Sequence, residues 1–172
     1  MRRSIIPFCI LTVGCTAEES VLLVDSLEWV AVEEQEDPFD DRPDNAECPP
    51  SSQVIEKNGS TYQLEIDTSL CDYVTLHQPT QVAVQAGERI RLKWGHRDLN
   101  AGDQATATGH FVFQMGEMVI EDVEISIPRD AEEFEINVEV EEALEAGSDA
   151  WLHLHNHGDN QWYFSPAEAF QK

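Results

Sequence analysis

Positive charge is scarce in this chain. Ten Lys and Arg stand against 34 Asp and Glu, a formal net charge of -24. A surface of that sign repels phosphate backbones, which excludes nucleic acid as a partner. It repels anionic lipid headgroups as well, so any membrane attachment must come from elsewhere. Cysteine is also sparse: Cys9, Cys15, Cys48 and Cys71 are the four present, and no two have C-x-x-C spacing. That removes the strong signature of a thiolate zinc site. No apolar run approaches the roughly 20 residues of a membrane-spanning helix. No repeat of solenoid length occurs, and no G-x-S-x-G or Cys-His arrangement offers a nucleophile.

What is present starts at residue 1. Arg2 and Arg3 precede an uncharged, mostly apolar run from Ser4 to Val13, followed by Gly14-Cys15. This arrangement resembles the bacterial lipoprotein signal, with Thr12 where that family has Leu. The resemblance implies that a diacylglyceryl group joins the Cys15 thiol and that the chain is cut just before it. The signal would be residues 1–14 and the mature protein 15–172, lipid-anchored in a bacterial cell envelope. Thr16 is not the Asp of inner-membrane retention, which points to the outer membrane, on its periplasmic or surface face. Each buried methylene contributes about 0.8 kcal/mol, so the acyl chains alone would hold the protein on the membrane. Removal of the two arginines and no acid takes the formal charge from -24 to -26. Adaptation to a saline habitat would account for the acidity equally well.

Cys9 leaves with the signal and lipid consumes Cys15. In an oxidising envelope the remaining Cys48 and Cys71 are expected to form a disulfide, worth on the order of 3 kcal/mol by loop entropy. A pair of thiolate metal ligands is the alternative.

Residues 16–47 hold twelve acids against the single base Arg42, with Pro38 and Pro43 among them. That composition predicts an extended, solvated tether over 15–47, in which 21–32 is apolar enough for a short helix or an added strand. From residue 48 onward the texture changes. Apolar residues alternate in Tyr62-Leu64-Ile66, Val82-Val84, Ile90-Leu92-Trp94, Phe111-Phe113-Met115, Val123-Ile125-Ile127, Phe134-Ile136-Val138-Val140 and Leu152-Leu154. Turn residues such as Asn58-Gly59 and Gly158-Asp159-Asn160 separate these runs. Period two predicts half-buried strands, about seven to nine of them, best satisfied by two packed antiparallel sheets over 48–172. The expected class is all-β, a cupredoxin-like or jelly-roll-like sandwich, with one short helical turn near Glu141–Ala146.

All six histidines fall in this part, three of them in the run His153, His155 and His157. On a strand, i and i+2 share a face at about 6.5–7 Å, so His153 and His155 can converge on one ion. His157 joins only if the chain bends at Gly158. A third or fourth ligand would come from His110 or His96. His96 shares the parity of Ile90, Leu92 and Trp94, which equally suits a buried core histidine. His77 reads as an ordinary strand-end residue. Imidazoles without thiolate suit copper or zinc.

The sandwich class and H-x-H pair resemble the cupredoxins and the paired ligands of multicopper oxidases. A blue-copper site requires a cysteine among its C-terminal ligands, and none follows Cys71, so type 1 electron transfer is excluded. Residues 48–165 are also similar to small, uncharacterised myxobacterial-type lipoproteins that end in HLHNHG, a likeness that implies no activity. Three functions follow. The first is a non-enzymatic, membrane-anchored protein binding a divalent metal. The second is a metal-free module for a glycan or protein partner, using Trp94, Trp151, Trp162 and Tyr163 as an aromatic platform. The third is a hydrolytic zinc enzyme, for which no glutamate stands in a general-base motif.

Overall fold

A computed structural model describes residues 19–59 and 61–171. The expected signal and the Cys15 lipidation site lie outside these residues. The strands are β1 (Glu19–Leu22), β2 (Val30–Ala31), β3 (Gln53–Asn58), β4 (Thr61–Asp67), β5 (Tyr73–Pro79) and β6 (Arg89–His96). They continue with β7 (Ala107–Met115), β8 (Met118–Ile127), β9 (Glu132–Glu139), β10 (Asp149–Asn156), β11 (Gln161–Phe164) and β12 (Glu168–Gln171). Every named pairing is antiparallel. The protein is an antiparallel β-sandwich.

One sheet is built around β6. Strand β9 pairs along one side of β6, while β12 and β11 divide its other side, the former against Arg89–Arg91 and the latter against Trp94–His96. Strand β1 extends this sheet beyond β12, and β4 and β3 extend it beyond β11. The other sheet has five strands in the order β2-β5-β10-β7-β8. Alternation explains what lies between the sheets. Leu64 and Ile66 of β4, Ile90, Leu92 and Trp94 of β6, Phe111 and Phe113 of β7, and Leu152 and Leu154 of β10 form one buried cluster. Burying each such side chain contributes about 1.5–3 kcal/mol, which decides the inward register of these strands. Cys48 and Cys71 are joined by a disulfide across a separation of 23 residues.

Two expectations need correction. The helical turn near Glu141–Ala146 does not form, because Leu144 bridges Val84 through reciprocal backbone hydrogen bonds of 2.8 Å. The acidic segment is not a free tether over its described part. Strand β1 pairs with β12, Leu23 and Val24 are buried in the core, and β2 borders β5. From Val32, whose N–H donates to the Thr75 carbonyl at 2.9 Å, the chain crosses the outer face of the five-stranded sheet and ends at Cys48. Apolar side chains and paired carboxylates outweigh the entropy and repulsion that composition alone predicts. We call residues 33–47 the strap.

Candidate functional site

The outer face of the five-stranded sheet carries the histidines. With Leu152 and Leu154 turned into the core, Trp151, His153 and His155 must face outward from β10. Register then chooses their neighbours. His155 lies opposite Tyr73 on β5 and His110 on β7, and His153 lies opposite Thr75 and Val112. His110, His153 and His155 therefore share one face across two adjacent strands. The strap closes over them: the Phe39 ring stacks on His153 with centroids 4.3 Å apart, and His153 is fully buried.

The strap also delivers Asp41. Its Oδ2 lies 3.0 Å from His155 Nδ1, 3.2 Å from His153 Nε2 and 3.3 Å from His110 Nδ1. Three imidazole nitrogens thus meet one carboxylate oxygen. Around them stand outer partners. His153 Nδ1 is 3.2 Å from Thr75 Oγ1, and Thr75 in turn donates to Asp37 Oδ1 at 3.0 Å. Asp37 Oδ2 accepts from Tyr73 Oη at 2.9 Å and from Arg42 Nη1 at 3.1 Å. His110 Nε2 is 2.9 Å from Asp122 Oδ1. Asp41 Oδ1 and His155 Nε2 are buried and meet no hydrogen-bond partner among the described residues.

The electrostatics follow from burial and charge. Burial raises the Asp41 carboxyl, but its contacts with His155, His153 and His110 outweigh this and hold it at about 2. Burial lowers His153 to about 4 despite the neighbouring Asp41 charge, so its imidazole is neutral at pH 7. His110 is also opposed by burial, yet hydrogen bonds to Asp122 and Asp41 raise it above the ordinary histidine range.

Among the described residues, Asp41, His110 and His153 offer ligand atoms that lie within 4.8 Å of one another. A tetrahedral ion with bonds of 2.0–2.1 Å has ligand–ligand edges of about 3.3 Å, so modest closure suffices. His155 reaches the same Asp41 oxygen beside them.

The remaining expected ligands lie elsewhere. His157 follows Asn156 at a bend where Gly158 has φ +111°, which brings its ring 4.8 Å from that of His155. It is exposed and shares no contact with Asp41. His96 is not a ligand of this cluster. It is fully buried in the sheet built on β6, with Nδ1 2.9 Å from the Arg97 carbonyl. The aromatic platform is corrected too. Trp94 and Trp162 are 2% and 0% exposed and stack at 6.1 Å inside the sandwich. Trp151 and Tyr163 are partly open, Trp151 tilted against His77 at 4.4 Å, and His77 contacts Asp149 at 2.8 Å. Asp41, Asp37 and Phe39 belong to no motif in the sequence. Phe39, an aromatic isolated among acids, was the available signal.

No family model matches the chain, and no curated protein matches it. Solved structures of similar layout include the family 11 carbohydrate-binding module from Clostridium thermocellum in complex with a β-1,3-1,4-mixed-linked tetrasaccharide. It is 10% identical, with 90% of this chain and 97% of that one covered at a TM-score of 0.48. TmCBM61 in complex with β-1,4-galactotriose is 9% identical, covers 86% and 91%, and scores 0.46. TmCBM27, a mannan-recognising module, is 9% identical, covers 90% and 96%, and scores 0.46. At such identities the sandwich assignment rests on this chain's own strand pairing.

Proposed function

We propose that this protein is a non-enzymatic, envelope-anchored β-sandwich that binds one divalent metal ion, copper or zinc, at the histidine cluster of its five-stranded sheet. The observation that carries the reading is the meeting of His110, His153 and His155 nitrogens at Asp41 Oδ2, at 3.0–3.3 Å. Imidazole nitrogens with one carboxylate match borderline ions, whereas calcium seeks an all-oxygen shell. The lipid anchor on Cys15 is supported by the sequence of residues 1–15 and would put the site outside the cytoplasm. Calorimetric titration with zinc, in excess calcium, tests the site. Stoichiometric tight uptake that disappears in the His153→Ala/His155→Ala double variant is expected. Equal uptake by both proteins would contradict it.

A second reading is a glycan-binding module. Support within this chain is a groove of about 400 Å³ on the other sheet, lined by Tyr163, Gln63, Asn58, Lys93 and Glu133. An aromatic ring among amides and charges suits sugar faces and hydroxyls. Loss of oligosaccharide binding in Tyr163→Ala, with zinc uptake unchanged, would establish it; absence of binding to a glycan array would dismiss it.

A further inference from the structure

We infer that the ion is captured between sandwich and strap, with Asp41 as the strap's own ligand and Asp37 acting through Thr75 to aim His153 at it. This inference rests on the metal-binding reading and adds to it a ligand, a positioning residue and a moving part.

The Asp37 side chain is 2% exposed, and as a carboxylate it only accepts. Its oxygens receive Tyr73 Oη, Thr75 Oγ1 and Arg42 Nη1. The single hydroxyl proton of Thr75 is therefore committed to Asp37. Its contact with His153 Nδ1 at 3.2 Å then requires the ring to donate, so His153 carries its proton on Nδ1. A neutral ring in that tautomer presents a lone pair at Nε2. Nε2 faces Asp41 Oδ2, another lone-pair atom, at 3.2 Å.

His110 repeats the pattern. Its Nε2 lies 2.9 Å from the acceptor Asp122 and must donate, which turns Nδ1 toward Asp41 Oδ2 at 3.3 Å. Each pairing of acceptors is repulsive unless positive charge lies between them. At His153 this approach lies beneath the Phe39 ring, with the imidazole fully buried. A single divalent ion satisfies both rings, and it gives the buried, unpartnered Asp41 Oδ1 a role as the second carboxylate oxygen. Outer partners that fix ring tautomers in this way are a regular part of metal sites.

The strap's ends are pinned at Val32 and at the Cys48–Cys71 bond. Its middle meets the sheet through Asp37, Phe39, Asp41 and Arg42. Eight of its residues are acidic and only Arg42 is basic. It lies on a face that also bears Asp122 and Asp149. A cation removes that repulsion where Asp41 enters. Occupancy therefore tightens the strap, and the strap completes the site.

The test uses the full mature chain, zinc alone as probe, and the variants Asp41→Asn and Asp37→Asn. In the wild type, zinc should slow amide exchange across residues 37–42. Asp41→Asn should lose that protection and bind zinc more weakly by more than about 100-fold, beyond the effect of an outer partner. Asp37→Asn gives Thr75 a donor as neighbour and frees its hydroxyl to donate to His153. Imidazole ¹⁵N spectra of the zinc-free proteins should show His153 protonated on Nδ1 in the wild type and on Nε2 in Asp37→Asn. Retained strand signals would show that both variants fold. Tight zinc binding that Asp41→Asn leaves unchanged, with no strap protection, would overturn the inference and leave the histidine site standing. Failure of the wild type to bind zinc tightly would overturn the metal-binding reading itself.

Discussion

Asp41 Oδ2 lies 3.2 Å from His153 Nε2, although 112 residues of chain separate them. That approach joins the acidic strap to the sheet and turns a histidine-rich strand into a polar centre. Removing either side should separate true ligands from bystanders. His153→Ala is expected to weaken zinc binding by more than about 100-fold, beyond the effect of an outer partner. His157→Ala, at an exposed position, should change it by less than about threefold. Competition with a chromogenic chelator measures both; similar losses would place His157 in the site.

The disulfide should stabilise the strap's end. Replacing Cys48 and Cys71 together by serine is expected to cost on the order of 3 kcal/mol, from the loop it closes in the unfolded chain. Urea denaturation reads this directly. A midpoint unchanged from the wild type would mean that the bond constrains nothing.

Acid should destabilise the metal-free protein through His96. Burial depresses its pKa below the ordinary 6.5, while its Nε2 is buried without a partner among the described residues. A depressed folded pKa contributes stability above pH 6.5 that is lost as pH falls, since the unfolded chain takes up the proton first. His153, held at about 4, acts in the same direction, whereas His110, raised, opposes them. Between pH 7 and 5 the urea midpoint should fall, and His96→Gln should show a shallower fall. Parallel profiles would remove His96 from the explanation.

Gly158 should not tolerate a side chain. At φ +111°, an added Cβ would lie 2.1 Å from the Asn100 carbonyl oxygen. The backbone conformation alone costs about 1–3 kcal/mol in other residues. Thermal unfolding of Gly158→Ala should shift down by several degrees; an unchanged transition would show that the Asn100 loop yields freely.

Much of the sandwich was visible in the sequence because one-sided burial writes itself as alternation. Leu64-Ile66 and Ile90-Leu92-Trp94 mark β4 and β6 in that way. Strand β5 hides because the strap covers its outer face, so Tyr73, Val74, Thr75 and Leu76 are all buried and no period of two survives. The H-x-H pair was readable on its own strand. His110 and His96 both stand as further ligands in the sequence, and choosing between them requires knowing that β7 lies beside β10. Asp41 was one acid among twelve in residues 16–47, and composition cannot say which carboxylate finds a partner. The aromatics misled for a related reason. Trp94 carried the parity of a core strand, but Trp162 lies on a short strand whose inward face only the topology defines.

The proposed anchoring by Cys15 has its own test. Cys15→Ser should remain unprocessed or leave the membrane fraction. A variant that matures and partitions into detergent like the wild type would contradict the anchor.

X-ray absorption at the zinc edge of protein loaded with one equivalent tests the central claim most directly. Nitrogen and oxygen neighbours at about 2.0–2.1 Å, outer-shell scattering from imidazole rings and no sulfur are expected. In His153→Ala/His155→Ala the imidazole signal should collapse. A spectrum of oxygen neighbours alone, identical in wild type and double variant, would show ions held only by the acidic surface and would contradict the account.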